Sequence, residues 1–406
     1  MSLTFDWLGR EQIDRIAQVR WQCYGGRTDE KEEFLQRSAS GAWGDGDVCV
    51  ASTAGRDIGT ATTLWQHMHL RSKRIPCQGV AWVGTSKSHR RRTSDRGVAS
   101  QVMEKIIARA RDHGAAVSAL MPFRASFYEH FGYGVVERQA VWSVPIPLLP
   151  TDCPGDYRFG DANDEGAMLN CRARQSLIGQ CDIETTDAQL AQWFSNLTPS
   201  TQLFVDESAG QINGYTWLLS EIQDNLAVAK LVQPAWDGIE SLRRLLTFCS
   251  GLKDQYSMIN IVLPADLPLN WLLRERQVPH RRIDHPAATC KLISRMQVRV
   301  LDSIRFLDGQ HITESHRGTA VVSVRECEGH ESRFRIDFAD GRIAAASSAA
   351  SPDATCSDVT WAAIACGELR ASTAAVMGLL DGASPATLRT LNAFADGPSP
   401  FCQEYF

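Results

Sequence analysis

The chain has 406 residues, 44% of them hydrophobic, and a formal net charge of −5. That length exceeds one ordinary core, so two or three domains are expected, and the overall acidity argues against a nucleic-acid partner. No stretch approaches the roughly 18 apolar residues of a membrane span, and the opening MSLTFDWLGREQIDR lacks a basic region followed by an apolar core. Neither a membrane association nor a secretory signal is expected. Twelve cysteines stand at long intervals, with no C-x-x-C pair and no His/Cys cluster at zinc spacing. Reduced thiols in a cytoplasm, and no metal site, follow from that pattern.

In chain order, VASTAGRDIG (50–59) reads as two strands joined by an Ala-Gly turn. His67-x-His69 alternates on a strand and is too sparse for a metal site. GVAWVGT (79–85) is an apolar strand ending in Gly-Thr, and the cationic loop HRRRTSDR (89–96) follows it. A helix then spans 97–113. Val98, Val102, Ile106 and Ala110 recur every fourth residue, Ala99, Met103 and Ile107 lie alongside, and Gly114 sits where a stop belongs. AVSALMP (116–122) is an apolar strand and FYEHFGYG (127–134) an aromatic helix with a glycine-rich end.

Four prolines in VPIPLLPTDCPGD (144–156) mark a first joint, and DHPAATCKLISRM (284–296) a second. Between them the pattern repeats. VDESAGQING (205–214) matches 50–59 at four positions, and a strand (226–232), a helix (237–254) and an apolar strand ending in Pro (257–264) come in the same order. Duplication explains that agreement best. From Gln297 onward there are nine arginines, no lysine and fourteen acids, a local charge of −5. Asp340-Gly341 in FRIDFADGRIAAA (334–346) signals a hairpin, with helices expected near 357–366 and 372–380 before a polar, Pro-containing tail ending in FCQEYF. The domains expected are 1–146, 147–290 and 291–406.

The order strand, cationic loop, glycine, helix describes an anion site. Uncapped N–H groups at a helix start attract anions, a glycine lets a phosphate approach the backbone, and Arg90, Arg91, Arg92 and Arg96 add charge. Neither G-x-x-x-x-G-K-[ST] nor G-x-G-x-x-G is present, so a nucleoside triphosphate or dinucleotide site is not indicated. A solvated basic loop would have the same composition.

Gly97-Val98-Ala99 in this context resembles the acetyl-CoA signature [QR]-x-x-G-x-[GA] of GNAT (GCN5-related) N-acetyltransferases, and FYEHFGYG is similar to that family's tyrosine motif. Two tandem GNAT-like modules, the second without a CoA loop, and a small α+β sterol-carrier-protein-like domain resemble the Eis (enhanced intracellular survival) group. The likeness is densest over 79–134. Here Thr93-Ser94-Asp95-Arg96 separate the arginine run from Gly97, whereas in the Eis group the run leads directly into the glycine. Either the loop is longer or its arginines meet the pyrophosphate from a shifted position.

The resemblance implies an α/β fold, acetyl-CoA as co-substrate and transfer of acetyl to an amine. It implies a homo-oligomer, commonly a hexamer. Val83, Gly84 and Thr85 match the strand positions that pair with pantetheine, and Gly97, Val98, Ala99 and Ser100 match the helix start that receives the pyrophosphate. Tyr128 falls on the family's general acid, and the terminal α-carboxylate of Phe406 on the base of Eis-type enzymes. An α-carboxyl is ionised at neutral pH and a phenol is protonated, as those two roles require. Trp82, Tyr24, Phe34 and Glu404 are candidates for lining the acceptor site, with a core role the default for the three aromatics and a solvated side chain the alternative for Glu404. Tyr133 reads as packing. In the second module QPAWDGIES (233–241) puts Pro and Asp where cations and glycine would be needed, so no CoA is expected there. The acceptor expected is a small polycationic amine, aminoglycoside-like or polyamine-like. Acetylation of protein lysines or N-termini, or a non-catalytic hydrophobe carrier, are the rival readings.

Overall fold

A computed structural model describes residues 2–40, 46–90, 97–195, 200–277 and 287–405. The chain divides into two compact units. One comprises 1–136 with 296–396 and the last two residues, the other 137–295 with 397–404.

The first unit begins with β1 (Thr4–Leu8), α1 (Ile13–Tyr24), α2 (Lys31–Ser40), β2 (Gly46–Thr53), β3 (Arg56–Leu70) and β4 (Lys73–Thr85). After these come α3 (Val98–Asp112), β5 (Val117–Leu120), α4 (Ala125–Glu129) and β6 (Gly134–Val135). The sheet order is β1-β2-β3-β4-β5, then the strand Gln297–Val300, then β6. Along this order β4 and β5 run parallel, joined through α3, as a crossover helix requires, and the other neighbours run antiparallel. Alternation along β2 sends Cys49 and Ala51 to the α3 face, against Val102 and Ile106, and Val48 and Val50 to the α1 face, against Ile16 and Val19. The β2–β3 turn holds Ala54 at φ 48° and Gly55 at φ 72°, the two left-handed residues of a tight hairpin.

The rest of this unit is a five-stranded sheet ordered Arg342–Ser347, Glu331–Ala339, Gly318–Arg325, Ala354–Ser357, Leu380–Asp381. The hairpin expected at Asp340-Gly341 is present, with both residues at positive φ. The helix Asp358–Cys366 is apolar nearly all round, because it packs on its own sheet and against β6. The second expected helix is shorter, Ala371–Val376, and gives way to the strand Leu380–Asp381; a further helix, Pro385–Asn392, lies in what reads as a polar tail. Its Ser384 cap and Pro385 at the first turn are the local reason it forms. FGYG has a packing explanation. A Cβ on Gly134 would stand 2.1 Å from the Val359 carbonyl oxygen, and one on Gly132 would stand 2.4 Å from an Asp358 carboxylate oxygen. These glycines let the helix Asp358–Cys366 come close.

In the second unit the sheet order is Thr289–Ile293, Gln139–Pro145, Met258–Pro264, Leu226–Trp236, Gln211–Gln223, Thr201–Ser208, Tyr157–Phe159. Leu226–Trp236 and Met258–Pro264 run parallel, connected through the helix Ile239–Ser250. Leu242, Leu245, Leu246 and Cys249 of that helix pack on Leu218, Leu231, Ile259 and Ile261. The stretch read as a proline-rich joint therefore starts inside a strand. Gln139–Pro145 carries Pro145 at its end, where the missing N–H interrupts little.

Candidate functional site

The pairing of β4 with β5 covers Cys77–Val80 against Val117–Leu120 and ends there. β4 continues to Thr85, so residues 81–85 are unpaired on that side among the described residues. On its other side the register slips. Ala81 pairs with Thr62 and Gly84 with Thr60, leaving Trp82 and Val83 opposite Ala61 alone. This is a β-bulge, and Trp82 sits in it at φ 54°. Bulges bend and twist a strand and cluster near active sites, and a positive φ on a tryptophan costs of order 1–3 kcal/mol unless the surroundings impose it. Bulge and lost pairing together open a notch in the sheet, with no strand along one edge of residues 81–85 among the described residues.

Gly84 is buried beside the notch, and a Cβ there would lie 2.8 Å from the Cys23 Cβ and 2.9 Å from the Tyr24 ring. Only glycine lets the end of α1 settle on β4. Tyr24 and Phe34 both meet the Trp82 ring edge-on, with centroids 5.4 and 6.2 Å away, and Trp21 extends the cluster at 5.3 Å from Phe34. Beneath Trp82 lies Arg20, its guanidinium 4.5 Å from the ring centroid and donating to the Thr62 hydroxyl at 3.0 Å. The sequence candidates Trp82, Tyr24 and Phe34 are thus one aromatic group, and Arg20 is a member that the sequence did not reveal. Its spacing on α1 with Ile16, Val19 and Cys23 is the core-facing stripe, so an arginine there was a readable signal.

Tyr128 projects from α4 and is 3% exposed. Phe123, Phe127 and Tyr133 surround its ring at 5.5, 5.0 and 6.1 Å. Burial pushes its phenol pKa up, and the Tyr24 and Tyr133 phenols add to the shift. It therefore holds its proton at neutral pH. Tyr133 is fully buried, and its hydroxyl lies 2.7 Å from that of Ser118, whose own hydroxyl donates to Gln78 at 2.7 Å.

The α3 start has Gly97 as its cap, which offers no side chain to the first N–H groups, and no acid lies in the first turn. Val98 is buried; its Cγ1 lies where a Cβ on Gly59 would come within 2.5 Å, so the helix end rests directly on β3. Ala99 and Ser100 are half-buried in the first turn. Arg90 reaches the Thr85 and Cys23 carbonyls, each at 3.4 Å, and thereby ties the end of β4 to the end of α1. Arg91, Arg92, Arg96 and Phe406 lie outside the described residues.

Glu404 belongs to the second unit, where it is 3% exposed. Its carboxylate accepts from the Thr185 hydroxyl and lies 3.8 Å from the Arg172 guanidinium. Burial pushes its pKa up, while Arg172 and Thr185 act to lower it.

Among the described residues one group has metal-ligand chemistry: Cys327, Glu328 and Asp358, within 4.8 Å of one another. Burial works against the charge of Glu328, but Arg299 and Arg111 outweigh it and hold the carboxyl down at about 2. The Asp358 oxygens accept from the Cys327 and Val359 N–H groups. These carboxylates are committed to protein donors.

Comparison with known proteins fits this geometry. Residues 6–136 match the acetyltransferase (GNAT) domain family and residues 311–403 the sterol carrier protein domain family. An uncharacterized N-acetyltransferase from Streptomyces avermitilis is 23% identical over 288 residues, 66% of each chain. A GCN5-related N-acetyltransferase from Anabaena variabilis is similar in fold over 99% of this chain and 100% of its own, with 14% identity and a TM-score of 0.83. Eis1 from Mycobacterium abscessus is similar over 100% of both chains, with 17% identity and a TM-score of 0.81. GNAT domains use acetyl-CoA as co-substrate. Residues 6–136 are thus an acetyltransferase (GNAT) domain and residues 311–403 a sterol carrier protein domain, in an α/β fold similar to that of Eis1 from Mycobacterium abscessus.

Proposed function

We propose that the protein transfers acetyl from acetyl-CoA to primary amines of a small polycationic molecule, aminoglycoside-like or polyamine-like, and that the division 1–146, 147–290, 291–406 separates the catalytic module from a second module and the carrier-like domain. The observation that carries the reading is the notch on β4. Val83, Gly84 and Thr85 have no strand partner on the β5 side among the described residues, next to the Trp82 bulge, and would pair there with an extended ligand. Main-chain N–H groups of Val98, Ala99 and Ser100, with Arg90, Arg91, Arg92 and Arg96 from the loop, would receive its pyrophosphate.

Acetyl-CoA supplies an acyl group activated as a thioester. The protein must then hold an amine in its neutral form, withdraw its proton and return one to the leaving sulfur. Tyr128 is the proton donor in this reading. Its buried phenol is protonated at neutral pH, and the same burial raises the proton affinity of a thiolate beside it. The α-carboxylate of Phe406 accepts the amine proton. The aromatic faces of Trp82, Tyr24 and Phe34 offer attraction to an ammonium approaching the notch, whereas Glu404 is buried against Thr185 and Arg172 and is not a substrate ligand.

Acetyl-CoA turnover, read as released thiol against aminoglycosides and polyamines, tests the proposal. Wild type is expected to turn over, Tyr128→Phe to lose roughly 10²–10⁴-fold in kcat, and a variant extended by two residues past Phe406 to lose activity while still binding acetyl-CoA. Turnover by Tyr128→Phe at the wild-type rate contradicts the acid assignment. An unimpaired extended variant contradicts the base assignment. Activity on peptides with none on the small amines replaces the acceptor class.

A further inference from the structure

Chain ends usually fray, yet here Phe401, Cys402, Gln403 and Glu404 are 8, 0, 6 and 3% exposed. Side chains of the second unit grip their main chain. The Cys402 N–H donates to the Glu137 carboxylate at 2.8 Å, and the Cys402 carbonyl accepts from the Gln139 amide at 2.9 Å. The Gln403 N–H donates to Asp182 at 3.4 Å, and the Gln403 carbonyl accepts from Gln233 at 3.1 Å. The Glu404 carbonyl accepts from Arg295 at 2.7 Å. Upstream, the Phe401 N–H donates to the Gln180 carbonyl at 2.8 Å.

The place where this happens has a counterpart in the first module. In the second unit Trp217 pairs with Val232 and Tyr215 with Ala235, leaving Gln233 and Pro234 opposite Thr216 alone. Gln233 has φ 48°, as Trp82 has 54°. The parallel pairing of this strand with Met258–Pro264 covers only Val228–Lys230 and ends before the bulge, as that of β4 with β5 does. So Leu226–Trp236 carries the same bulge at the same point of lost pairing. Its two bulge residues are the ones that hold the tail: Gln233 donates to the Gln403 carbonyl, and the Pro234 carbonyl accepts from the Gln403 side chain.

We infer that the notch of the second module is the seat of the chain's own carboxyl tail, with Arg295, Gln139 and Gln233 as positioning residues for the terminal carboxylate. The inference deepens the reading in which that carboxylate is the base, and rests on it. Two residues remain beyond Glu404, and an extended chain adds at most about 3.6 Å per residue, so fixing Glu404 confines the terminus to roughly 7 Å of it. Confinement replaces a freely moving carboxylate by one at a set position, which is the entropic part of catalysis. Side chains of the tail add to the main-chain grip: Gln403 donates to the Pro234 carbonyl, and Glu404 accepts from Thr185 beside Arg172. The seated tail also leaves the second notch no room for a cofactor arm.

The test uses the full chain with Arg295→Ala, Arg295→Lys and, at the bulge, Gln233→Ala. Carboxypeptidase release of tail residues is followed by mass spectrometry, and kcat and the KM for acetyl-CoA are measured with the best amine of the panel. Arg295→Ala and Gln233→Ala are expected to speed release and to lower kcat roughly tenfold or more with the KM for acetyl-CoA unchanged, and Arg295→Lys to recover part of both. Release at the wild-type rate in both alanine variants overturns the seat. Faster release with unchanged kcat overturns the positioning role, and the two-residue extension separates the causes. If the extension abolishes activity, the base stands and only the positioning falls; if it does not, the base reading has failed first.

Discussion

The two α/β modules are the same device put to different ends. Each opens with an Ala-Gly hairpin whose two turn residues are left-handed, Ala54 with Gly55 and Ala209 with Gly210. In each the hairpin slips register close to the turn, at Ala51/Ser52 and at Asp206/Glu207. The third strand then bulges at a residue of positive φ where its parallel partner ends. Beyond the bulge the modules diverge. In the first come a cationic loop and a bare Gly97 cap. In the second, Asp237 stands before the helix, its carboxylate held by Arg174 at 3.1 Å and by the Ser241 hydroxyl at 2.6 Å. An acid there repels a pyrophosphate. The second module has the bulge without the cationic loop, and Gln403 of the tail is bonded to that bulge.

The largest effect expected from disturbing this contrast is on the filled notch. Arg172 is 2% exposed and pairs with Asp182, donating at 2.7 Å, as well as with Glu404. Arg172→Ala would leave two buried carboxylates uncompensated, a cost of about 3–5 kcal/mol, to be read from urea unfolding. A loss below about 1 kcal/mol would mean that water compensates them.

Next comes a pH effect. Arg172 and Arg295 face three carboxylates, those of Glu137, Asp182 and Glu404, so one acid is in excess. Burial pushes Glu137 up to about 7 from 4.5, with Cys402, Arg295 and Gln139 only partly offsetting it. A raised carboxyl pKa means that the folded state keeps a proton the unfolded chain has lost. The stabilisation is complete below pH 4.5 and is lost as the pH rises through about 7, a change of about 3 kcal/mol at most. Glu137→Gln is expected to flatten the fall in stability across that window. An unchanged slope would assign it to other groups.

A smaller effect concerns the open notch. Gly84→Ala puts a Cβ within 2.8 Å of Cys23 and 2.9 Å of Tyr24, so α1 must shift, at about 1–3 kcal/mol. Acetyl-CoA affinity should fall along with stability, while tail release by carboxypeptidase stays as in wild type. Faster tail release would mean that the two notches are coupled and not independent.

Much of this was legible in the sequence because local signals and tertiary needs agree. The four-residue spacing from Val98 to Ala110 marked α3, Asp340-Gly341 its hairpin, and the match of 50–59 with 205–214 the duplication. The bulges were not legible. Trp82 and Gln233 share no residue type, since a bulge is set by mismatch between paired strands and not by local propensity. Nor was the tail. FCQEYF is aromatic enough to anchor, but where it is held depends on Glu137, Gln139, Asp182, Gln233 and Arg295, which no sequence spacing brings together. Residues 297–300 fall within the last domain expected, 291–406, but form a strand of the first sheet, because a four-residue strand carries no mark of which sheet it joins.

One notch open to acetyl-CoA and the other filled by the tail should leave a single cofactor site in each chain. Calorimetric titration of the full chain with acetyl-CoA, in wild type and in Gln233→Ala, counts those sites directly. One molecule bound per chain is expected in both. Two per chain in wild type, or none, would contradict the division of roles between the notches.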